Sequence, residues 1–194
     1  MPLTLLLDLD DTLLETNLEA FVPAYFQALG NHMANRVPPS LMLGALIRGT
    51  NLMNESDDPA RTLEEIFDSS FYKELGVSKS ELAEVIEAFY DNVFPSLSGH
   101  TRQLEEAASL IDWALSCGFR VAIATDPLFP RKATYHRVQW AGINPERLEL
   151  ISTFEQFHFT KTHPAYYAEV LGRLGWPEGP VLMAPRIPSY DPMP

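Results

Sequence analysis

A short apolar run near the start of the chain ends abruptly in carboxylates. Residues 3–7 are all apolar except for one threonine, and the run is too short to cross a bilayer. With no basic leader before it, it is not expected to be a signal peptide, and it predicts a buried strand inside a parallel sheet. Side chains alternate along a strand, so Asp8 and Asp10 are expected on the same side and Asp11 on the other.

From about residue 15 to residue 95 the apolar positions recur at helical spacing. The pattern predicts about four helices with no convincing strand between them. Asp58 followed by Pro59 is typical of a helix start, with Asp as the N-cap and proline at the first helical position. Ser78 and Glu81 have the spacing of a capping box, which indicates the start of the last of these helices.

After Pro95 strands and helices alternate along the chain. The predicted strands cover residues 119–124, 148–151 and 181–183, and the predicted helices cover residues 101–116, the stretch around Tyr135 to Trp140, and residues 164–174. This alternation predicts an α/β protein with a three-layer, Rossmann-like parallel sheet and right-handed connections. The long helical stretch would then be an insertion after the first strand.

The composition narrows the possible partners. The formal net charge is −12, which argues against nucleic acids and anionic membranes, because both require a basic surface. Cys117 is the only cysteine, so no intrachain disulfide forms and a reducing cytoplasm is expected. Its apolar neighbours predict a buried thiol.

The carboxylates after the first strand are the best candidates for chemistry. Two carboxylates close together at the end of a buried strand are costly unless something compensates them, and Mg²⁺ commonly does so. The carboxyl ends of strands are also where open α/β sheets place their sites. The alternative is that these acids only cap a helix that begins near Thr12.

Asp8-Leu9-Asp10-Asp11-Thr12, after an apolar strand, resembles the first motif of the haloacid dehalogenase-like (HAD) hydrolase superfamily. Thr125, at the end of the second predicted core strand, resembles the second motif. Lys161, just before a predicted helix, resembles the third motif, with Thr162 where the family more often has proline. Without the resemblance, Thr125 could be present only because threonine favours strands or caps the next helix. Lys161 could likewise be an ordinary solvated lysine.

The resemblance implies a division of the chain. Residues 1–14 and 96–184 would form the Rossmann-like catalytic core, and residues 15–95 an inserted helical cap that closes over the site. Residues 185–194 contain four prolines and predict an irregular tail.

The fourth motif is where this sequence departs from the family. After a strand like residues 181–183 the family has Gly-Asp and further acids, whereas this chain continues Ala184-Pro185-Arg186. Asp191 lies too far along to be an obvious substitute. The expected final helix and strand are also missing, so a truncated or frameshifted reading frame and real divergence both remain open. Without the missing strand, the fourth strand would have an exposed edge, which is expected to lower stability. The sequence leaves the oligomeric state open.

The function implied by the resemblance is that of an Mg²⁺-dependent phosphatase of a small phosphorylated metabolite, similar to phosphoglycolate phosphatases. Asp8 would be the nucleophile and Asp10 the acid and base. The Asp8 carboxylate and the Asp10 backbone carbonyl would hold Mg²⁺, and Thr125 and Lys161 would bind the phosphate. Without the fourth-motif acid, activity is expected to be weak. The alternative is an inactive or truncated relative that acts, if at all, as a binding protein.

Overall fold

The computed structural model describes residues 1–184, so the predicted tail and Asp191 lie outside the described residues. The strands are β1 (Thr4–Leu7), β2 (Leu14–Thr16), β3 (Thr101–Gln103), β4 (Arg120–Ile123), β5 (Leu150–Ile151) and β6 (Val181–Ala184). The α-helices are α1 (Leu18–His32), α2 (Pro39–Glu55), α3 (Leu63–Leu75), α4 (Lys79–Asn92), α5 (Glu105–Ser116), α6 (Arg131–Trp140) and α7 (Ala165–Arg173).

The centre of the fold is a parallel sheet with the strand order β5-β4-β1-β6. Leu5 of β1 lies opposite Val121 of β4 on one side and opposite Leu182 of β6 on the other. All four residues of β1 are buried, as expected for a central strand with both faces covered. The predicted α/β fold with a parallel sheet is confirmed.

Helices cover both faces of this sheet and make it a three-layer structure. Leu5 and Leu7 point to the face covered by α5 and α6, where they share a buried cluster with Ile111 and Val138. Leu6 points to the opposite face, which is covered by α7. The alternation of adjacent leucines between the two faces is what a pleated strand imposes.

The four helices α1 to α4 lie between β2 and β3, which pair with each other in antiparallel fashion. This helical segment has its own buried cluster, rich in aromatic rings, to which Phe21, Phe89 and Phe94 contribute. The four predicted helices are therefore confirmed. Across residues 1–184, no helix is both long and apolar enough to traverse a bilayer.

Two local predictions were wrong. Thr101–Gln103 is a strand paired with β2, and the helix predicted from residue 101 begins only at Glu105. The third helix begins at Leu63 instead of Pro59, because Thr62 and Glu65 form a complete capping box there. Asp58 instead accepts a hydrogen bond from the Ala60 N–H in the preceding turn.

The prediction for Cys117 was also wrong, since its thiol is exposed. Cys117 caps the C-terminal end of α5, one residue before a turn at Gly118 with φ of +73°. The apolar residues that precede it in the sequence belong to α5, whose buried face includes Ala114. The periodicity of the helix, and not the local composition, determines which positions face the core.

Candidate active site

The candidate site residues lie at the carboxyl edge of the parallel sheet. Asp8 directly follows β1, and its N–H donates to the Ala184 carbonyl of β6 over 3.1 Å. Thr125 comes two residues after the end of β4, and the neighbouring Ala124 N–H donates to the Leu7 carbonyl over 2.8 Å. Adjacent parallel strands therefore bring Asp8 and Thr125 to the same edge.

Asp8 is held by one hydrogen bond and one ion pair. Its Oδ1 accepts from the Leu9 N–H over 2.9 Å, and its Oδ2 lies 2.7 Å from Lys161 Nζ in a salt bridge. The side chains of Asp8 and Lys161 are only 13% and 18% exposed. The structure thus joins two residues predicted from separate motifs, and the ammonium compensates the charge of the carboxylate in a partly dry environment.

Asp126 positions the backbone of Lys161. Its Oδ1 accepts a hydrogen bond from the Lys161 N–H over 3.0 Å. Burial raises the pKa of Asp126, Lys161 opposes that shift, and the negative charges of Asp8 and Asp10 add to it. Sequence reasoning did not assign a role to Asp126, although its place directly after Thr125 was a signal that it would lie near the site.

Asp10 is paired with Arg137, a residue that the sequence analysis missed. Arg137 Nη2 donates to Asp10 Oδ1, and the arginine side chain is 1% exposed. The guanidinium carbon lies 4.8 Å from the ring centre of Phe129 and 5.2 Å from that of Phe21. Within residues 1–184, Arg137 Nε is buried and has no hydrogen-bond partner.

Arg137 could have been suspected from its position in α6. Ala133 and Ala141 lie four residues on either side of it, and both are fully buried. A charged residue on a buried helical face needs a compensating charge, which is the signal that the sequence offered. The sequence did not indicate which acid would supply that charge.

The backbone at Thr125 is fixed by a buried pair of hydroxyls. The Thr125 carbonyl accepts hydrogen bonds from Ser152 Oγ over 2.6 Å and from the Tyr166 hydroxyl over 2.7 Å. Burial raises the pKa of Tyr166, so this phenol remains a hydrogen-bond donor. Asp11 contributes to the turn after β1, because its Oδ1 accepts from the Thr16 N–H over 3.0 Å.

The sequence matches no protein-family profile and no curated protein. Among solved structures it is similar to CbbY from Rhodobacter sphaeroides in complex with phosphate, with 20% identity and a TM-score of 0.52 over 94% of this chain and 77% of that chain. A mutant of the same protein in complex with xylulose-(1,5)bisphosphate matches with 19% identity and a TM-score of 0.50 over the same shares. The chain therefore shares its fold with CbbY.

A solved L-2-haloacid dehalogenase from Xanthobacter autotrophicus is also similar to this chain, with 15% identity and a TM-score of 0.44 over 94% of this chain and 69% of that chain. Along this chain, Asp8 and Asp10 follow β1, Thr125 follows β4, and Lys161 precedes α7. The order of these residues along the chain agrees with the order of the three motifs that they resemble.

The fit of this edge to Mg²⁺ is partial. Asp8 and Asp10 offer the oxygen atoms that Mg²⁺ prefers. Each carboxylate, however, is already bonded to a cationic side chain, Lys161 or Arg137. Within residues 1–184, no group of three or more histidine, cysteine, aspartate or glutamate side chains is arranged to hold a metal ion. The described residues therefore supply only part of an octahedral site.

Proposed function

We propose that this chain is a HAD-like phosphatase that hydrolyses a small phosphorylated molecule with Asp8 as its nucleophile. The observation that carries the proposal is the Asp8–Lys161 pair at 2.7 Å, at the carboxyl end of the central strand. A carboxylate with a fixed ammonium beside it is suited to attack a phosphate, because the cation offsets the repulsion between two anions. The fold similarity to CbbY, which was solved with phosphate, supports this reaction class.

In the proposed reaction, an Asp8 carboxylate oxygen attacks the phosphorus and the bond from phosphorus to the leaving oxygen breaks. Asp10 gives its proton to that oxygen, so an alcohol leaves. Asp10 then takes a proton from water, whose oxygen attacks the phosphorus of the aspartyl-phosphate. The bond from Asp8 to phosphorus breaks, which releases inorganic phosphate and regenerates the carboxylate.

Lys161 and Thr125 are proposed to bind the oxygens of the transferring phosphoryl group. Bonds from an ammonium to phosphate are charge-assisted and roughly twice as strong as neutral ones. The Thr125 hydroxyl would add a neutral donor. Its backbone is already fixed by Ser152 and Tyr166, so little freedom is lost when it binds.

Mg²⁺ at Asp8 and at the backbone carbonyl of Asp10 is part of this proposal, and it would neutralise charge on the transferring group. β6 ends at Ala184, and the next residues in the sequence, Pro185 and Arg186, are not acids, so one expected ligand is missing at those positions. Loss of a supporting group alone costs about 10- to 100-fold in metal affinity or activity. We therefore expect weak metal binding and low turnover from this chain.

We also propose that residues 15–95 act as a cap on a core formed by residues 1–14 and 96–184. The N–H groups of Leu63 and Glu64, at the start of α3, donate to the carbonyls of Phe157 and Phe154 over 2.8 and 3.0 Å. These bonds connect the helical segment to loops of the sheet domain near the site. A cap in this position excludes water from the reaction. The lone Cys117 supports a cytoplasmic location.

One observation favours a second candidate, a HAD-like binding protein without turnover. The buried guanidinium of Arg137 occupies Asp10 Oδ1, the acid on which proton transfer would depend. If that ion pair persists when substrate is bound, the phosphate site would hold a phosphorylated ligand without cleaving it. This candidate predicts phosphate binding that depends on Lys161 but no release of alcohol.

The two candidates are separated by hydrolysis of an aryl phosphate, measured with and without Mg²⁺ for the parent chain and for Asp8→Asn. Slow turnover that vanishes in the variant supports the phosphatase. Absence of turnover together with Lys161-dependent phosphate binding supports the binding protein. Equal turnover by the parent and the variant contradicts the role of Asp8.

A further inference from the structure

A cavity of about 480 Å³ lies between the helical segment and two loops at the carboxyl edge of the sheet. Tyr25 of α1 and Phe71 of α3 contribute to its wall on the helical side. Phe129, in the loop after β4, and Phe154, in the loop after β5, contribute to its wall on the sheet side. Its volume is within the range of pockets that bind small molecules, about 300 to 1,000 Å³.

The chemistry of the wall is mainly apolar and aromatic. The hydroxyls of Tyr25 and Tyr90 bond to each other over 2.8 Å, so each tyrosine has a polar partner already. Burial also raises the pKa of Tyr25 to about 12, so its phenol is neutral at ordinary pH. A sugar in this space would lose hydrogen bonds to water without full compensation, whereas an alkyl or aryl group would lose none.

Two lysines at the edge of the cavity are paired with carboxylates. Lys79 Nζ lies 2.6 Å from Glu64 Oε1 and 2.8 Å from Asp68 Oδ2. Lys132 Nζ likewise lies 2.7 Å from Asp91 Oδ1. The residues that line the cavity include four acids, Glu64, Asp68, Glu87 and Glu155, against three bases, Lys79, Arg131 and Lys132. The cavity therefore does not favour an anionic group within it. The anionic end of a ligand is better placed at Lys161.

The wall of the cavity is linked to the candidate active site by the contacts of Phe129. This ring lines the cavity and lies 4.8 Å from the guanidinium carbon of Arg137, which bonds Asp10. Leu128, another lining residue, is three residues beyond Thr125, a separation that an extended chain spans in about 10 Å. Asp8, Asp10, Thr125 and Lys161 do not line the cavity, so it is a neighbouring space and not the phosphate site itself.

We propose that this cavity binds the apolar organic group of a phosphate monoester, an alkyl or aryl phosphate, whose phosphate lies at Asp8 and Lys161. The proposal rests on the phosphatase function above and names its substrate class. Most of the apolar wall that would contact this group comes from the helical segment. A polar sugar phosphate is expected to be a poor ligand.

Binding of a homologous series tests this directly. Ethyl, butyl, hexyl and octyl phosphate are titrated calorimetrically against the parent chain, beside glycerol phosphate. Each added methylene that enters the cavity is expected to tighten binding about three- to fourfold. Octyl phosphate should then bind at least about tenfold more tightly than glycerol phosphate. Affinity that does not depend on chain length would overturn the proposal.

A pair of substitutions at the exposed opening of the cavity, one that fills it and one that does not, tests the proposal further. Ala83 lines the cavity and is exposed, so Ala83→Trp fills space without disturbing the core. We expect it to weaken octyl phosphate binding at least about tenfold and to leave inorganic phosphate binding unchanged. Glu84→Trp, next to it, exposed and not lining the cavity, is the control and should bind like the parent. Parent-like octyl phosphate binding by Ala83→Trp would also overturn the proposal.

Two further titrations separate this proposal from the proposed function. If octanol binds as tightly as octyl phosphate, and Lys161→Met has no effect, the cavity is independent of the phosphate site and the proposal fails. If binding depends on both chain length and Lys161 but no ester is hydrolysed, the proposal holds and the phosphatase function fails. If hydrolysis depends on Asp8 but neither binding nor turnover depends on chain length, the phosphatase function holds and the proposal fails.

Discussion

At the scale of single residues, the site consists of two carboxylates that are each paired with a cation from another element. Lys161 bonds Asp8 and Arg137 bonds Asp10. The sequence singled out Asp8, Asp10 and Lys161 as candidates, because the motifs that they resemble are local. The Asp10–Arg137 pair joins residues far apart in the chain, and no local pattern specifies such a pairing.

Replacing Arg137 tests how strongly this pair contributes to the fold. Arg137→Met is expected to lower the free energy of unfolding by about 3 kcal/mol, because it removes the partner of a largely buried carboxylate. The cation–π contacts with Phe21 and Phe129 would be lost as well. Urea denaturation followed by circular dichroism measures the change.

The control for Arg137→Met is Arg147→Met. Arg147 pairs with Asp112, and the side chains of this pair are 47% and 62% exposed. An exposed pair contributes under about 1 kcal/mol, so this variant should unfold almost like the parent. Equal losses of stability in the two variants would show that burial of the Asp10–Arg137 pair has no energetic consequence.

Asp126 gives the site a predicted pH dependence. Its pKa is raised in the folded state, so the folded chain retains a proton there that the unfolded chain releases at lower pH. The contribution of the neutral acid to stability is present in full below the unfolded pKa and is lost as the pH rises through the folded pKa. Asp126→Asn cannot ionise and still accepts from the Lys161 N–H.

Asp126→Asn is therefore expected to gain stability relative to the parent as the pH is raised from about 4 to about 7. Urea denaturation of both chains at these two pH values measures the difference. Asp112→Asn, at an exposed position, is the control and should show no such trend. A constant difference between Asp126→Asn and the parent would contradict the raised pKa.

At the scale of elements, a helix start was predicted correctly where a single capping signal was present and wrongly where two such signals competed. The capping box of Ser78 and Glu81 is confirmed at the start of α4. For α3 the sequence contains two possible helix starts, one at Asp58 and Pro59 and one at Thr62 and Glu65. The helix begins after Thr62. The Thr62 hydroxyl accepts a hydrogen bond from the Glu65 N–H. The next two residues, Leu63 and Glu64, bond to carbonyls of the loop after β5.

Removing this cap tests its contribution. Thr62→Ala is expected to cost about 1 kcal/mol of unfolding free energy, because the Glu65 N–H loses its side-chain acceptor. Thr62→Ser keeps the hydroxyl and should retain most of the parent's stability. Urea denaturation of the three chains gives the comparison, and equal stability of the Ala and Ser variants would show that the cap is unimportant.

At the scale of the whole molecule, the order of strands and helices was predictable from the sequence, whereas the packing of the helical segment on the sheet was not. Period-two and period-3.6 patterns are properties of single elements. The cavity between the segment and the sheet depends on rings such as Tyr25, Phe71 and Phe129, which come together only in the tertiary structure.

The edge strand β6 is a second example of an element whose existence was predictable and whose packing was not. The strand at residues 181–183 was predicted, and β6 lies at the edge of the described sheet with Leu182 55% exposed. An exposed edge strand is a place where another strand could pair. Neither the periodicity nor the composition indicates what covers such an edge in solution.

The most direct test of the central claim is to look for the covalent intermediate on Asp8. The parent chain is mixed with an aryl phosphate, quenched in acid within the first turnover, and digested for mass spectrometry. We predict a phosphoryl group on the peptide that contains Asp8, and none in Asp8→Asn. Alcohol released by the parent chain without any phosphorylated Asp8 peptide would contradict the role of Asp8 as nucleophile.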